Sequence, residues 1–154
     1  MVENYKRGYY QTYRTIFLVM IKIGIDPDCI SNGVAYKNGK QIELYNMTFF
    51  KLFDYLQTFQ GSKEVEVYVE CGFLNKSNWH KTQGSNSVNA QIGQRTGANH
   101  ETAKKICEMC DYLGLTYHRV KPIRSKVNAE FFRQITGITQ RTNQEQRDSL
   151  MLIL

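Results

Sequence analysis

The sequence predicts an α/β fold in which a mixed five-stranded sheet is flanked by helices. Three patterns carry that expectation. Strand-like runs crowd the first third of the domain and are separated by short turn signals. A strictly alternating strand, EVEVYVE, then follows a stretch of helical periodicity. Beyond it, helical stretches enclose one further strand, so the order reads β-β-β-α-β-α-β-α-α.

Each element has a local reason. Residues 16–26 form an apolar run ending at Asp26, and this predicts the first strand. GVAY and IELYNM flank Lys37-Asn38-Gly39-Lys40, and Asn-Gly between two such runs predicts a type I′ hairpin. Phe49, Phe50, Leu52, Phe53, Leu56 and Phe59 recur at helical spacing behind Thr48, an expected N-cap. EVEVYVE puts its valines on one face and ends the fourth strand at Glu70. The polar, glycine-bounded residues 72–86 predict a loop, and a long helix over 87–113 follows, with a break expected near Gly97. LTYHRVK predicts the fifth strand. Helices near 125–136 and 142–154 complete the chain, the last anchored by Leu150, Met151 and Leu154.

Composition narrows the function classes. A chain of 154 residues with 42% hydrophobic and 22% charged residues suits one globular domain with a single core. Residues 1–19, with scattered tyrosines and charges, read as an N-terminal extension, and residues 20–154 as the domain. Lys and Arg exceed Asp and Glu by 20 to 14, a net charge of +6 that favours a polyanionic partner such as nucleic acid. The apolar run at 16–21 is too short to span a bilayer and is broken by Lys22, so no membrane association is expected. Cys107 and Cys110 have the spacing of a metal or redox pair. They also fall on one helical face with Ala103, Ile106 and Leu113, which reads as packed thiols in a reducing, cytoplasmic setting.

The chemistry concentrates in carboxylates. Asp26 and Glu70 each close a strand, where α/β sheets open onto their functional crevice. Glu145 and Asp148, three residues apart in TNQEQRDSLMLIL, share a face of the final helix. Acidic groups converging from separate elements repel one another unless a cation lies between them. Hard oxygen donors of this kind suit Mg²⁺ or Mn²⁺. Two such ions about 3.5–4 Å apart can activate water and stabilise the leaving oxygen of a phosphodiester.

These residues also carry a resemblance. IGIDPDCISNGVAY resembles the opening signature of the RuvC-like Holliday junction resolvases, and VEVYVECGF their second motif, with Phe73 three residues beyond Glu70. NAQIGQRTGANHETAKK is similar to the start of the family's long central helix. VKPIRSK, Thr136-Gly137 and EQRD at 145–148 follow in the family's order. The resemblance covers residues 20–154. It implies a ribonuclease H-like fold, a homodimer, two divalent ions per site and paired nicks in four-way DNA junctions.

Carried over, Asp26, Glu70 and Asp148 would hold metal with Glu145 as the fourth ligand, and Lys126 would be a catalytic cation. Phe73 would stack on bases, and Arg95, Lys121 and Arg124 would contact phosphates. Lys76, Trp79, His80 and Lys81 form a loop expected to touch DNA. Two positions depart from the pattern: Glu145 replaces the usual His or Asp, and Asp28 replaces a glycine.

Competing readings are a ribonuclease H acting on RNA–DNA hybrids and a branched-DNA-binding module without catalysis. A two-lobed sugar-kinase or actin-like ATPase would need more chain than residues 20–154 provide. Whether a helicase delivers the substrate, and which sequence is cut, are not encoded in any motif.

Overall fold

The computed structural model describes residues 20–75, 84–122 and 125–154. The extension at 1–19, the loop residues Lys76, Trp79, His80 and Lys81, and Arg124 lie outside them. Five strands form one sheet: β1 (Ile21–Asp26), β2 (Asn32–Asn38), β3 (Gln41–Met47), β4 (Val65–Glu70) and β5 (Thr116–Val120). Their order is β3-β2-β1-β4-β5. The first three make an antiparallel meander, while β4 runs parallel to β1 and β5 parallel to β4. Helix α1 (Phe49–Gln57) connects β3 to β4, and α2 (Asn86–Tyr112) connects β4 to β5. Helices α3 (Ala129–Thr136) and α4 (Gln144–Met151) end the chain. The expected mixed sheet flanked by helices is the architecture found.

Strand alternation sorts side chains between two cores. Ile23, Ile25, Val34, Val65, Val67 and Val69 point to the face covered by α1 and α2, where they meet Leu52, Leu56, Ile106 and Cys110. The opposite face receives α3 and α4 through Ala35, Phe132, Leu150 and Ile153. The intervening residues of β1 and β4, namely Gly24 and Asp26, and Tyr68 and Glu70, therefore share the α4 face. Ala103, Ile106, Cys107, Cys110 and Leu113 are all buried, so the CEMC cysteines are core thiols as their helical spacing predicts.

Several expectations are corrected. Asn38 pairs with Gln41, leaving Gly39 and Lys40 as the two-residue loop. Among the described residues only glycines have positive φ, Gly39 at 58°. That is the type II′ pattern, because a type I′ turn would also force Lys40 into the left-handed region. Thr48 stands at the N-cap of α1, but its side chain makes no capping bond. Helix α2 runs unbroken through Gly97, a glycine whose lack of Cβ leaves nothing to clash within 4 Å. Helix α3 begins only at Ala129, since Asn128 accepts from the Phe131 N–H and fixes its start. At the C-terminus Ile153, 2% exposed, anchors the chain in place of Leu154, which is 51% exposed.

Two glycines set how closely α4 lies on the sheet. A Cβ at Gly24 would stand 2.0 Å from the Ser149 carbonyl oxygen, and one at Gly33 would stand 2.1 Å from that of Glu145. Backbone meets backbone there, so only glycine fits. The contact brings the acidic residues of α4 over the ends of β1 and β4.

Candidate active site

In the parallel pairing of β1 with β4, Ile25 lies opposite Val69. One residue further on, Asp26 and Glu70 stand side by side at the carboxyl ends of neighbouring strands, about 5 Å apart along the backbone. Asp148 reaches the same place from α4 and is 7% exposed. Helix α4 is held by a capping box in which the Asn143 side chain accepts from Gln146 N–H and the Gln146 side chain accepts from Asn143 N–H.

The electrostatics follow from that crowding. Burial raises the Asp26 carboxyl from 3.8 to about 8, helped by the charges of Glu70, Asp148 and Glu145 and opposed by Lys126. Glu70 is also raised, first by burial and then by Asp148, again against the pull of Lys126. Lys126 donates a hydrogen bond to Asp148 Oδ2. Burial works against the charge on its ammonium, yet that bond and the charges of Glu70, Asp26 and Asp148 hold its pKa above the ordinary range. Lys126 is thus the positive counterpart of the acidic residues.

Sequence reasoning missed how Asp148 is oriented. Gln144 Nε2 donates to Asp148 Oδ1 at 2.7 Å, and Arg147 Nη2 donates to Gln144 Oε1 at 2.8 Å. The second bond decides which end of the Gln144 amide faces Asp148, so the carboxylate always meets the NH₂. Arg147 further donates through Nε to Val127 O at 3.1 Å and through Nη1 to Thr142 O at 2.8 Å. It ties α4 to the segment carrying Lys126. EQRD looked like two acids and a spacer, and nothing local in it shows that the spacer arginine braces the acids.

The remaining predicted residues are spread around this site. Asp28 does not simply face solvent. Its Oδ1 accepts from Ile30 N–H, and its Oδ2 accepts from Asn99 Nδ2 at 3.3 Å and pairs with Arg95 at 3.5 Å. Although partial burial opposes it, these bonds keep the Asp28 carboxyl below the usual range. Asn99 also accepts from Cys29 N–H at 3.0 Å, so the β1–β2 turn is clamped to α2. Arg95 is committed to that clamp while remaining exposed.

Phe73 lies in a single 3-10 turn over Gly72–Leu74. Its ring meets His100 edge-on at 6.4 Å, with the Lys104 ammonium 5.9 Å above it. It is packed on the larger core, which is the ordinary role its position allowed. Lys121 is exposed just beyond β5.

The donor chemistry of Asp26, Glu70 and Asp148 fits a hard divalent cation, because partly buried, mutually repelling carboxylates gain most from one. Among the described residues, however, no three His, Cys, Asp or Glu side chains are gathered closely enough to enclose an ion. Lys126 and Gln144 take up the two oxygens of Asp148 instead. A cavity of about 160 Å³ lies against this group, lined by Glu70, Lys126, Val127 and Asp148.

No protein-family model matches the sequence, and no curated protein matches it. Among solved structures the chain is similar to T. thermophilus RuvC in complex with a Holliday junction substrate. The TM-score is 0.45 at 15% identity, over 86% of this chain and 89% of that one. It is similar also to another Thermus thermophilus RuvC structure, with TM-score 0.44 at 13% identity over 86% and 90% of the two chains.

Proposed function

We propose that the chain is a divalent-metal-dependent nuclease that cuts four-way DNA junctions in the manner of RuvC-like resolvases. The observation that carries this reading is the approach of Asp26, Glu70 and Asp148, from β1, β4 and α4, on one sheet face beside the Lys126 ammonium group. The order of sequence motifs and the net charge of +6 support DNA as the substrate.

Asp26, Glu70 and Asp148 would hold two Mg²⁺ or Mn²⁺ ions, with Glu145 at the edge of the set. When bound, such ions lower the pKa of a water and stabilise charge on the leaving oxygen. The chain's own groups do the rest. Lys126 lies among the carboxylates and can stabilise negative charge as it grows on the phosphoryl oxygens. Gln144 and Arg147 fix the Asp148 carboxylate, so less reorganisation is needed at the moment of reaction. Lys121 and Arg124 would bind flanking phosphates, as would Arg95 where its clamp leaves donors free. Phe73 and the loop with Lys76, Trp79 and Lys81 would meet the DNA arms. A homodimer would place two such sites on opposite strands, and the cysteine usage suits a cytoplasmic enzyme.

Incubation with a synthetic four-way junction, a linear duplex and an RNA–DNA hybrid in Mg²⁺ tests the substrate. Paired, symmetric nicks confined to the junction are expected. Cutting of the hybrid alone would make the chain a ribonuclease H instead, and no cutting of any substrate would leave a binding module.

A further inference from the structure

A groove of about 190 Å³ lies between α3 and the loop leading into α4, away from the carboxylates. Buried Phe132 forms part of its wall, and Arg133, Thr139, Gln140, Arg141 and Thr142 supply the polar lining. Among the described residues, no acidic side chain lines it. Among the described residues, neither Arg133 nor Arg141 has a carboxylate within 4.0 Å. Nor, among those residues, does the backbone N–H of Thr139, Gln140, Arg141 or Thr142 meet an acceptor. Two guanidinium groups and two hydroxyls make a lining rich in donors. Its complement is an oxyanion. A water occupies about 30 Å³ of liquid, so the groove has room for a phosphate with its ester carbons.

The groove is also held in register with the carboxylate site. Gly137, at φ 72°, closes α3 by donating its N–H to Arg133 O, which fixes the turn into the loop. At the other end Arg147 donates to both Thr142 O and Val127 O, so the rim and the neighbour of Lys126 share one brace. With about 1.5 Å of rise per residue, the start of α4 at Gln144 lies roughly 6 Å along its axis from Asp148.

We propose that the groove between Arg133 and Arg141 binds a backbone phosphate of the DNA strand that enters the carboxylate site. The proposal rests on reading Asp26, Glu70 and Asp148 as a nuclease centre. It assigns the groove the task of setting the position of the strand along α4, with no part in the chemistry.

The test uses the full chain with Asp26→Asn as background, so that DNA stays uncut in Mg²⁺. Binding of a labelled four-way junction is measured by anisotropy across a salt series. Adding Arg133→Gln and Arg141→Gln should weaken binding about tenfold or more and make the slope of log K against log salt shallower by about 1 to 2. The melting temperature should hold within about 2 °C, since both side chains are exposed. Lys40→Gln with Lys63→Gln, at the opposite end of the sheet, should leave the slope unchanged. An unchanged slope in the arginine pair, or an equal loss in the lysine pair, would overturn the groove while leaving the nuclease reading intact. Failure of the Asp26→Asn background to bind any DNA at low salt would overturn both.

Discussion

Asp26→Asn is expected to lower junction cutting by a factor on the order of 10³ or more while leaving junction binding intact, because it removes a ligand charge but no phosphate contact. The same change should stabilise the metal-free protein at neutral and higher pH. The Asp26 carboxyl lies at about 8 in the fold against an ordinary 3.8. A raised folded pKa means that the native state binds more protons than the unfolded chain between those values. Stability is then greatest at low pH and declines as pH rises through that window. Glu70, also raised, adds to the decline. In chelator, wild type should therefore lose melting temperature between about pH 4 and 8, while the Asn variant loses less. At pH 8 the variant should melt higher by at least about 2–4 °C, the equivalent of about 1 kcal/mol for a chain of this size. Thermal scans at several pH values check this. Parallel curves for the two proteins would show that Asp26 is not desolvated among like charges.

Gly33→Ala should damage both fold and chemistry. Its new Cβ would stand 2.1 Å from the Glu145 oxygen and 2.3 Å from the Glu145 carbonyl carbon. Backbone cannot yield as a flexible side chain can, so α4 must lift by about 1 Å, and a displacement of that size can cost about 10²-fold in rate. Overpacking of this kind costs about 1–3 kcal/mol, or roughly 2–12 °C in melting temperature. Gly24→Ala, against Ser149, should behave alike. Gly97→Ala is the contrast: it sits in α2 with nothing within 4 Å of its Cβ. It should raise stability by about 0.4–1 kcal/mol through helix propensity alone. Melting curves and cutting rates for the three variants separate close approach from simple loss of glycine. A Gly33→Ala protein as stable and active as wild type would mean that α4 does not depend on that contact.

The legible parts of this molecule are those written with a short period. The valines of β4 and the spacing from Ala103 to Leu113 place their own burial, and the alternation that buries Val69 turns Glu70 to the other face. Asp26, two residues past Gly24 on β1, follows the same rule. What stayed hidden depends on residues distant in sequence. The hairpin moved by one residue because the pairing of Asn38 with Gln41 settled its loop. Asp28 looked like a stray acid until Asn99 and Arg95, some seventy positions along, came to meet it. Gly24 and Gly33 looked like ordinary strand glycines, because what demands them is the backbone of α4. Arg147 carries no mark in the motif of the brace it provides between Val127, Thr142 and Gln144.

The central claim is that Asp26, Glu70 and Asp148 form a divalent-metal centre. Anomalous diffraction from crystals soaked in Mn²⁺ tests it most directly. The predicted result is manganese density in contact with Asp26 and with at least one of Glu70 and Asp148, accompanied by withdrawal of Lys126 from Asp148. Manganese absent from this group at saturating concentration, with the Lys126–Asp148 pair intact, would contradict it.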